Sequence, residues 1–166
     1  MLSYDKSPPL PPQDYYFVKY EDLMDFIESV FVKLGVPKED AHWVADNLVA
    51  ADLRGIESHG VARLRRYVDG IMNGAVKARP NIRIVRESPV HALIDGDSGL
   101  GQVVGRKAME LAVKKAKDNF LGMVLVRMSN HFGISGYYAM IALEHDMIGL
   151  SRTNARPLVA HTGALG

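Results

Sequence analysis

The chain has 166 residues, room for one ordinary domain or two small ones, and its 48% hydrophobic and 23% charged residues are those of a globular protein with a core. A net charge of +1 excludes a general electrostatic nucleic-acid binder, and the absence of cysteine excludes thiol catalysis, disulfides and cysteine metal sites. No apolar run approaches the ~18–20 residues needed to span a bilayer, so no membrane partner is expected, and the lack of cysteine fits a cytoplasmic location.

Residues 1–18 read as an extended arm. Pro8, Pro9, Pro11 and Pro12 block both helix and central strand, and this polar start is no signal peptide. Residues 20–34 read as an amphipathic helix with Leu23, Phe26, Ile27, Val30, Phe31 and Leu34 at helical spacing, ended by Gly35. Pro37 opens a second helix to about Arg54, with Ala41, Val44, Ala45, Leu48 and Ala51 on one face. Ser58 is placed as the N-cap of a third helix over about 60–73, on which Arg63 and Tyr67 share a face. His59 then sits at the helix mouth, where unpaired N–H groups suit a carboxylate.

Near residue 76 the texture changes. Residues 82–85 and 90–94 read as short strands, and Asp95-Gly96-Asp97-Ser98-Gly99 as a turn. A helix follows to about Asn119, with Val104, Ala108, Leu111 and Ala112 inward and Lys114, Lys115 and Lys117 as a solvated face. Leu121 to Val126 is apolar without alternation, as buried parallel strands are. A helix over about 134–145 and a strand over 147–151 complete a mixed α/β pattern. The organisation expected is an arm at 1–18, a helical segment at 19–76 and an α/β segment at 77–166.

Of six histidines, His59 and His131 differ from the rest. Each is flanked by small and polar residues at the start of a helix, and His131 sits where a strand hands over to one, the usual place for chemistry in open α/β proteins. A buried, hydrogen-bonded loop histidine is the competing reading of each. His42, His91 and His145 read as structural or exposed, and His161 has no assignment. No His-x-x-x-His pair or tight His/Asp/Glu spacing supports a metal. Gly96, Gly99, Gly101 and Gly105 do not match a G-x-G-x-x-G fingerprint, so no Rossmann site is inferred. Ser58 beside His59 hints at a nucleophile pair, but helix neighbours point apart and no nucleophile elbow is present.

Three stretches together carry a resemblance. The run Ala51-Asp52-Leu53-Arg54-Gly55-Ile56-Glu57-Ser58-His59-Gly60-Val61-Ala62-Arg63-Leu64 resembles the Ser-His-Gly region of the type-2 malate/L-lactate dehydrogenases. Ser129-Asn130-His131-Phe132-Gly133-Ile134-Ser135-Gly136-Tyr137 is similar to that family's second signature, and Ile148 to Asn154 to its following strand. The similarity runs from about residue 19 to the end. It implies a non-Rossmann fold of the sulfolactate-dehydrogenase kind, NAD or NADP as cofactor, a homodimer, and a 2-hydroxy acid interconverted with its 2-oxo acid. By the same resemblance His131 and His59 are catalytic, Ser58, Arg63 and Tyr67 bind substrate, and Asn154 begins the cofactor contacts. Members of that family are longer, so the expectation is an N-terminal half, with a separate C-terminal polypeptide as a possible partner. The alternative is a non-catalytic fragment acting as a folded interaction or dimerisation module.

Overall fold

The computed structural model describes residues 17–154; the proline-rich arm up to residue 16, His161 and the rest of the segment from 155 onward lie outside them. Helices α1 (Tyr20–Lys33) and α2 (Lys38–Asp52) come first, then two short 3-10 turns (Glu57–His59 and Val61–Arg63) and α3 (Leu64–Met72). Strands β1 (Arg83–Glu87) and β2 (His91–Gly99), helix α4 (Gly101–Asn119), strand β3 (Met123–Ser129) and helix α5 (Ser135–Leu143) follow. The fold is mixed α/β, helices first and then a small mixed sheet. The sheet runs β1-β2-β3, with β1 antiparallel to β2 and β2 parallel to β3. Parallel neighbours need a crossover, and α4 supplies it.

The main core joins the helical segment to the sheet side. Ile27 and Phe31 of α1, Val44, Ala45 and Leu48 of α2, and Tyr67 of α3 pack with Leu100 and Val103 at the start of α4. The expected stripe on α1 is mostly inward, but Phe26 is 55% exposed and Met24 takes the buried place instead. Gly35 ends α1 with φ 87°, a left-handed backbone that glycine adopts at no steric cost.

Five expectations need correction. The third helix starts at Leu64, not at 60, and Ser58 is not its cap. Instead Asp52 Oδ2 accepts the Val61 N–H at 2.8 Å, and the chain spends residues 57–63 in tight turns packed over that carboxylate. The 95–99 turn is part of β2, with a break in register between Asp95 and Gly99 and positive φ at Asp97 and Ser98. The aspartates there serve as anchors: Asp95 accepts from Arg127 Nη2 at 2.9 Å, and Asp97 from Lys77 Nζ at 2.6 Å and the Asn81 N–H at 2.9 Å. Lys115 is not solvated. It is 7% exposed and its ammonium donates to Glu87 Oε1 and the Ser88 carbonyl at 2.8 and 2.7 Å, so the α4 lysines divide between water and the sheet edge.

The apolar run at 121–126 does form a parallel strand, but it is not buried. Met123, Leu125, Val126 and Met128 are 39–60% exposed, because β3 is the sheet edge and α4 covers only one of its faces. Residues 147–151 form no strand and leave Ile148 and Leu150 exposed. Their anchor is the Ser135 hydroxyl, which donates to the Ser151 carbonyl at 3.0 Å.

Helix α4 lies close on the start of β3. A Cβ on Gly122 would sit 1.8 Å from the Ala112 carbonyl oxygen, a backbone atom that cannot swing aside. Gly122→Ala is therefore expected to lower stability by about 1–3 kcal/mol through forced separation of helix and strand. Urea unfolding of wild type and variant, compared at equal slope, measures it.

Candidate active site

Two crossings end at one place. β2 leads into α4 and β3 leads into the loop before α5, so both parallel strands deliver their carboxyl ends to the same edge, where open sheets hold ligands. The loop Asn130-His131-Phe132-Gly133 is held there by its neighbours. The Asn130 side-chain amide donates to the Ser98 and Gly99 carbonyls at 2.9 and 3.0 Å. Gly101 presses on the loop so closely that a Cβ would lie 2.3 Å from the Asn130 carbonyl oxygen. The Tyr138 hydroxyl donates to the Phe132 carbonyl.

From the other side, α3 brings Tyr67. This residue is 3% exposed, and its hydroxyl lies 2.7 Å from His131 Nδ1. The Gly133 N–H also points at Nδ1, at 3.4 Å. An N–H can only donate, so Nδ1 is the accepting nitrogen and the ring proton belongs on Nε2. His59 stacks on His131 with ring centroids 5.5 Å apart and planes inclined by 25°. Arg66, Tyr67, Gly70, Ala75, Val76, Asn130 and His131 line a cleft of about 170 Å³ beside this group.

The electrostatics follow from that packing. Burial, and after it the charges of Arg66, His59 and Arg63, hold the His131 imidazole down at about 4. Burial pushes the Tyr67 phenol up to about 12, with Gln102, Arg66 and Arg63 pulling the other way. Gln102 is fully buried at the first turn of α4 and close enough to act on Tyr67, yet neither of its amide atoms completes a hydrogen bond of normal geometry among the described residues.

The residues expected from the sequence are brought together in part. His59, Tyr67 and His131 converge. Arg63 is nearby, with its Nε donating to the Ser58 carbonyl at 2.5 Å. Ser58 is exposed, and its hydroxyl lies 2.9 Å from His59 Nδ1. Neighbours expected to point apart meet here through their side-chain tips, within a 3-10 turn and not an α-helix. Asn154 is exposed and does not line the cleft. Arg66 and Asn130 are lining residues that the sequence reading did not single out. Arg63, Arg66, Tyr67 and Gly70 stand at i, i+3, i+4 and i+7, a one-face helical pattern that would have found Arg66.

A larger groove of about 240 Å³ lies away from the histidines, among α2, α4 and α5. There Asp46 accepts from Tyr137 at 2.5 Å, and Arg106 donates to the same phenol at 3.2 Å. That network is internally satisfied and brings no histidine, so the smaller cleft is the better site despite its size. The glycines of residues 96–105 face protein: Gly96 meets the Met128 carbonyl, Gly99 meets Pro80, and Gly105 meets the Tyr138 ring. They permit close packing and leave no phosphate cradle. Among the described residues no cluster of three His, Cys, Asp or Glu could hold a metal.

Residues 18–166 match the family described as malate/L-lactate dehydrogenase. The chain is similar to a malate dehydrogenase of Pyrococcus horikoshii, 61% identical over 153 residues, covering 92% of this chain and 42% of that protein. The solved structure of malate dehydrogenase from that organism superposes with a TM-score of 0.79 over 80% of this chain and 38% of that one. An L-sulfolactate dehydrogenase of Methanocaldococcus jannaschii is 51% identical over 88% of this chain and 42% of its own length. A ureidoglycolate dehydrogenase (NAD(+)) of Escherichia coli is 33% identical, again over 88% of this chain and 42% of its own length. The chain thus spans less than half the length of these relatives.

The His131 ring makes a test of the geometry. Its folded value lies below the ordinary histidine value of 6.5, so as pH falls the unfolded chain takes up the proton first. The stability this neutral ring contributes is fully present above about pH 6.5 and is lost as pH falls toward about 4. A proton NMR titration is expected to show one imidazole titrating near 4, and urea unfolding of His131→Gln to show a shallower loss of stability between pH 6.5 and 4 than wild type.

Proposed function

Since this chain belongs to the malate/L-lactate dehydrogenase family, we propose that it carries the proton-transfer and acid-binding side of an oxidoreductase that interconverts a 2-hydroxy acid and its 2-oxo acid. The observation that carries this reading is the Tyr67–His131–His59 group beside a cationic cleft. Membership implies a nicotinamide cofactor, NAD or NADP, which supplies the hydride when bound. The described residues do not fit the whole of it. A cleft of about 170 Å³ is below the ~300–1,000 Å³ usual for drug-sized ligands, and the glycine segment is packed against protein. The steps below therefore concern only the acid and the proton.

Tyr67 fixes the ring of His131 through Nδ1 and leaves Nε2 for the reacting oxygen. In the oxidising direction the ring must accept the hydroxyl proton at Nε2, and it does so as the other neutral tautomer, in which Nε2 has given its proton to solvent and Nδ1 has taken one up and donates it to the Tyr67 oxygen. In the reducing direction it must deliver a proton. A bound carboxylate offsets the arginine charges that help to hold the ring neutral, so binding of the 2-oxo acid raises the proton affinity of His131. His59 stacks on the same ring, and its charge is one of those that hold His131 neutral. Arg63 and Ser58 lie within this neighbourhood as acid-binding groups, and Asn154 is the first residue of the cofactor side.

A second reading, an interaction or dimerisation module without catalysis, is favoured by the exposed apolar side chains of β3. The two readings meet in a homodimer, with a cytoplasmic location. No helix of the described residues is long and apolar enough to cross a membrane.

The test uses the protein as it occurs in the cell, a panel of 2-oxo acids, and both NADH and NADPH. Wild type is expected to oxidise one of the two reduced cofactors with at least one 2-oxo acid. His131→Gln is expected to lower kcat by about 10²–10⁴-fold, the range of general acid–base catalysis. Tyr67→Phe keeps the ring stack but loses the Nδ1 bond, and is expected to give a smaller loss with a shifted pH profile. Wild-type-like turnover in His131→Gln removes that residue from the chemistry. A well-folded protein that oxidises neither cofactor with any acid, yet self-associates, supports the second reading.

A further inference from the structure

Gln102 stands in the first turn of α4, and Leu100 and Val103 on either side of it pack with Tyr67 in the main core. Its side chain is fully buried, and among the described residues neither the amide nitrogen nor the amide oxygen has a hydrogen-bond partner. Burying an amide with both ends unpaired is costly, and an apolar side chain of that length would fill the same space without the cost. Gln102 does not line the cleft, so contact with an incoming acid does not account for it. The polar group it acts on is the Tyr67 phenol, where it pulls against the burial that pushes the phenol up to about 12.

Tyr67 has a use for such a neighbour. Its hydroxyl carries one proton and meets His131 Nδ1 at 2.7 Å. While Nδ1 accepts, the phenol donates to it and the phenol oxygen can accept from an N–H. Once Nδ1 carries a proton, the phenol oxygen accepts from the ring, and the phenol proton needs an acceptor elsewhere. This second arrangement is the one the ring holds before it takes up a hydroxyl proton and after it delivers one. An amide suits both arrangements, since it offers a donor and an acceptor and exchanges them by half a turn about its last side-chain bond.

Building on the dehydrogenase reading above, we propose that Gln102 is a positioning residue that lets Tyr67 reverse its hydrogen bond to His131. With Nδ1 accepting, the Gln102 Nε2–H donates to the Tyr67 oxygen. With Nδ1 protonated, the Tyr67 hydroxyl turns and donates to Gln102 Oε1. The phenol keeps its proton throughout, and protons are exchanged only at the imidazole, with solvent and substrate. Gln102 acts through Tyr67 and touches neither the acid nor the reacting oxygen.

Nitrogen NMR of the full chain, at a pH well above the titration of His131, reports which ring nitrogen holds the proton. Wild type is expected to show both tautomers in exchange. Gln102→Met keeps the length and removes the amide, and is expected to lower the Nδ1–H form relative to the Nε2–H form by about 10-fold, the effect of one lost hydrogen bond. Gln102→Glu keeps an oxygen acceptor at the same reach and is expected to hold the Nδ1–H form at or above its wild-type level. With the reduced cofactor and the 2-oxo acid that wild type turns over best, Gln102→Met is expected to lower kcat by about 10–100-fold and to leave KM within about twofold. An Nδ1–H form or a kcat within twofold of wild type in Gln102→Met overturns the proposal. Should Gln102→Met fail to fold, Gln102→Glu decides: an Nδ1–H form below the wild-type level overturns the proposal, and one at or above it supports it. A wild-type protein that reduces no 2-oxo acid overturns the dehydrogenase reading instead, and the tautomer measurement still decides Gln102.

Discussion

The hydrogen bond between the Tyr67 hydroxyl and His131 Nδ1, 2.7 Å long, is the constraint on which the site depends. Its partners are 64 residues apart, one on a helix of the N-terminal segment and one on the loop after the edge strand. Tyr67 can hold this position because its ring belongs to the main core, packed with α1, α2 and the start of α4. The loop can receive it because Asn130 and Gly101 lock it to the ends of β2 and α4. A side chain held by packing on one side and a backbone held by hydrogen bonds on the other give a fixed ring, which positioned proton transfer requires.

The same packing sets the charge balance. Removing water from His131 disfavours its charged form, and two arginines and a second histidine add to that. Such packing keeps the ring neutral. In a site that takes an acid, the cations are the binding groups and their effect on the ring couples binding to protonation.

Charge also separates the two clefts. The larger groove among α2, α4 and α5 has its phenol, carboxylate and guanidinium bonded to one another. The smaller one leaves Arg66 without a partner among the described residues. A network that satisfies itself rigidifies a fold, whereas an unmatched cation facing a histidine is a place for an anionic ligand. Volume alone would have chosen the larger groove.

The helices α1, α2 and α4 were readable from periodicity, and His59, His131, Arg63 and Tyr67 were chosen as candidates from handover points and motif resemblance; the structure brings His59, Tyr67 and His131 together. These are local signals: a helical stripe or a glycine stop acts over a few residues. What could not be read was where apolar runs end up and which charges meet. Residues 121–126 carry the pattern of a buried strand but lie at a sheet edge, since burial depends on what covers a strand and not on its own composition. Lys115 looks solvated in a lysine cluster but reaches Glu87 from 28 positions away. Asp52 replaces Ser58 as the group that organises residues 57–63, through a contact nine residues long that no capping pattern encodes. The sequence by itself determined the elements and the chemical types available, because backbone propensity and side-chain pKa range are properties of short stretches. Only the tertiary structure decided that Tyr67, His59 and Arg66 surround His131, because that depends on how α3 packs against the carboxyl ends of β2 and β3.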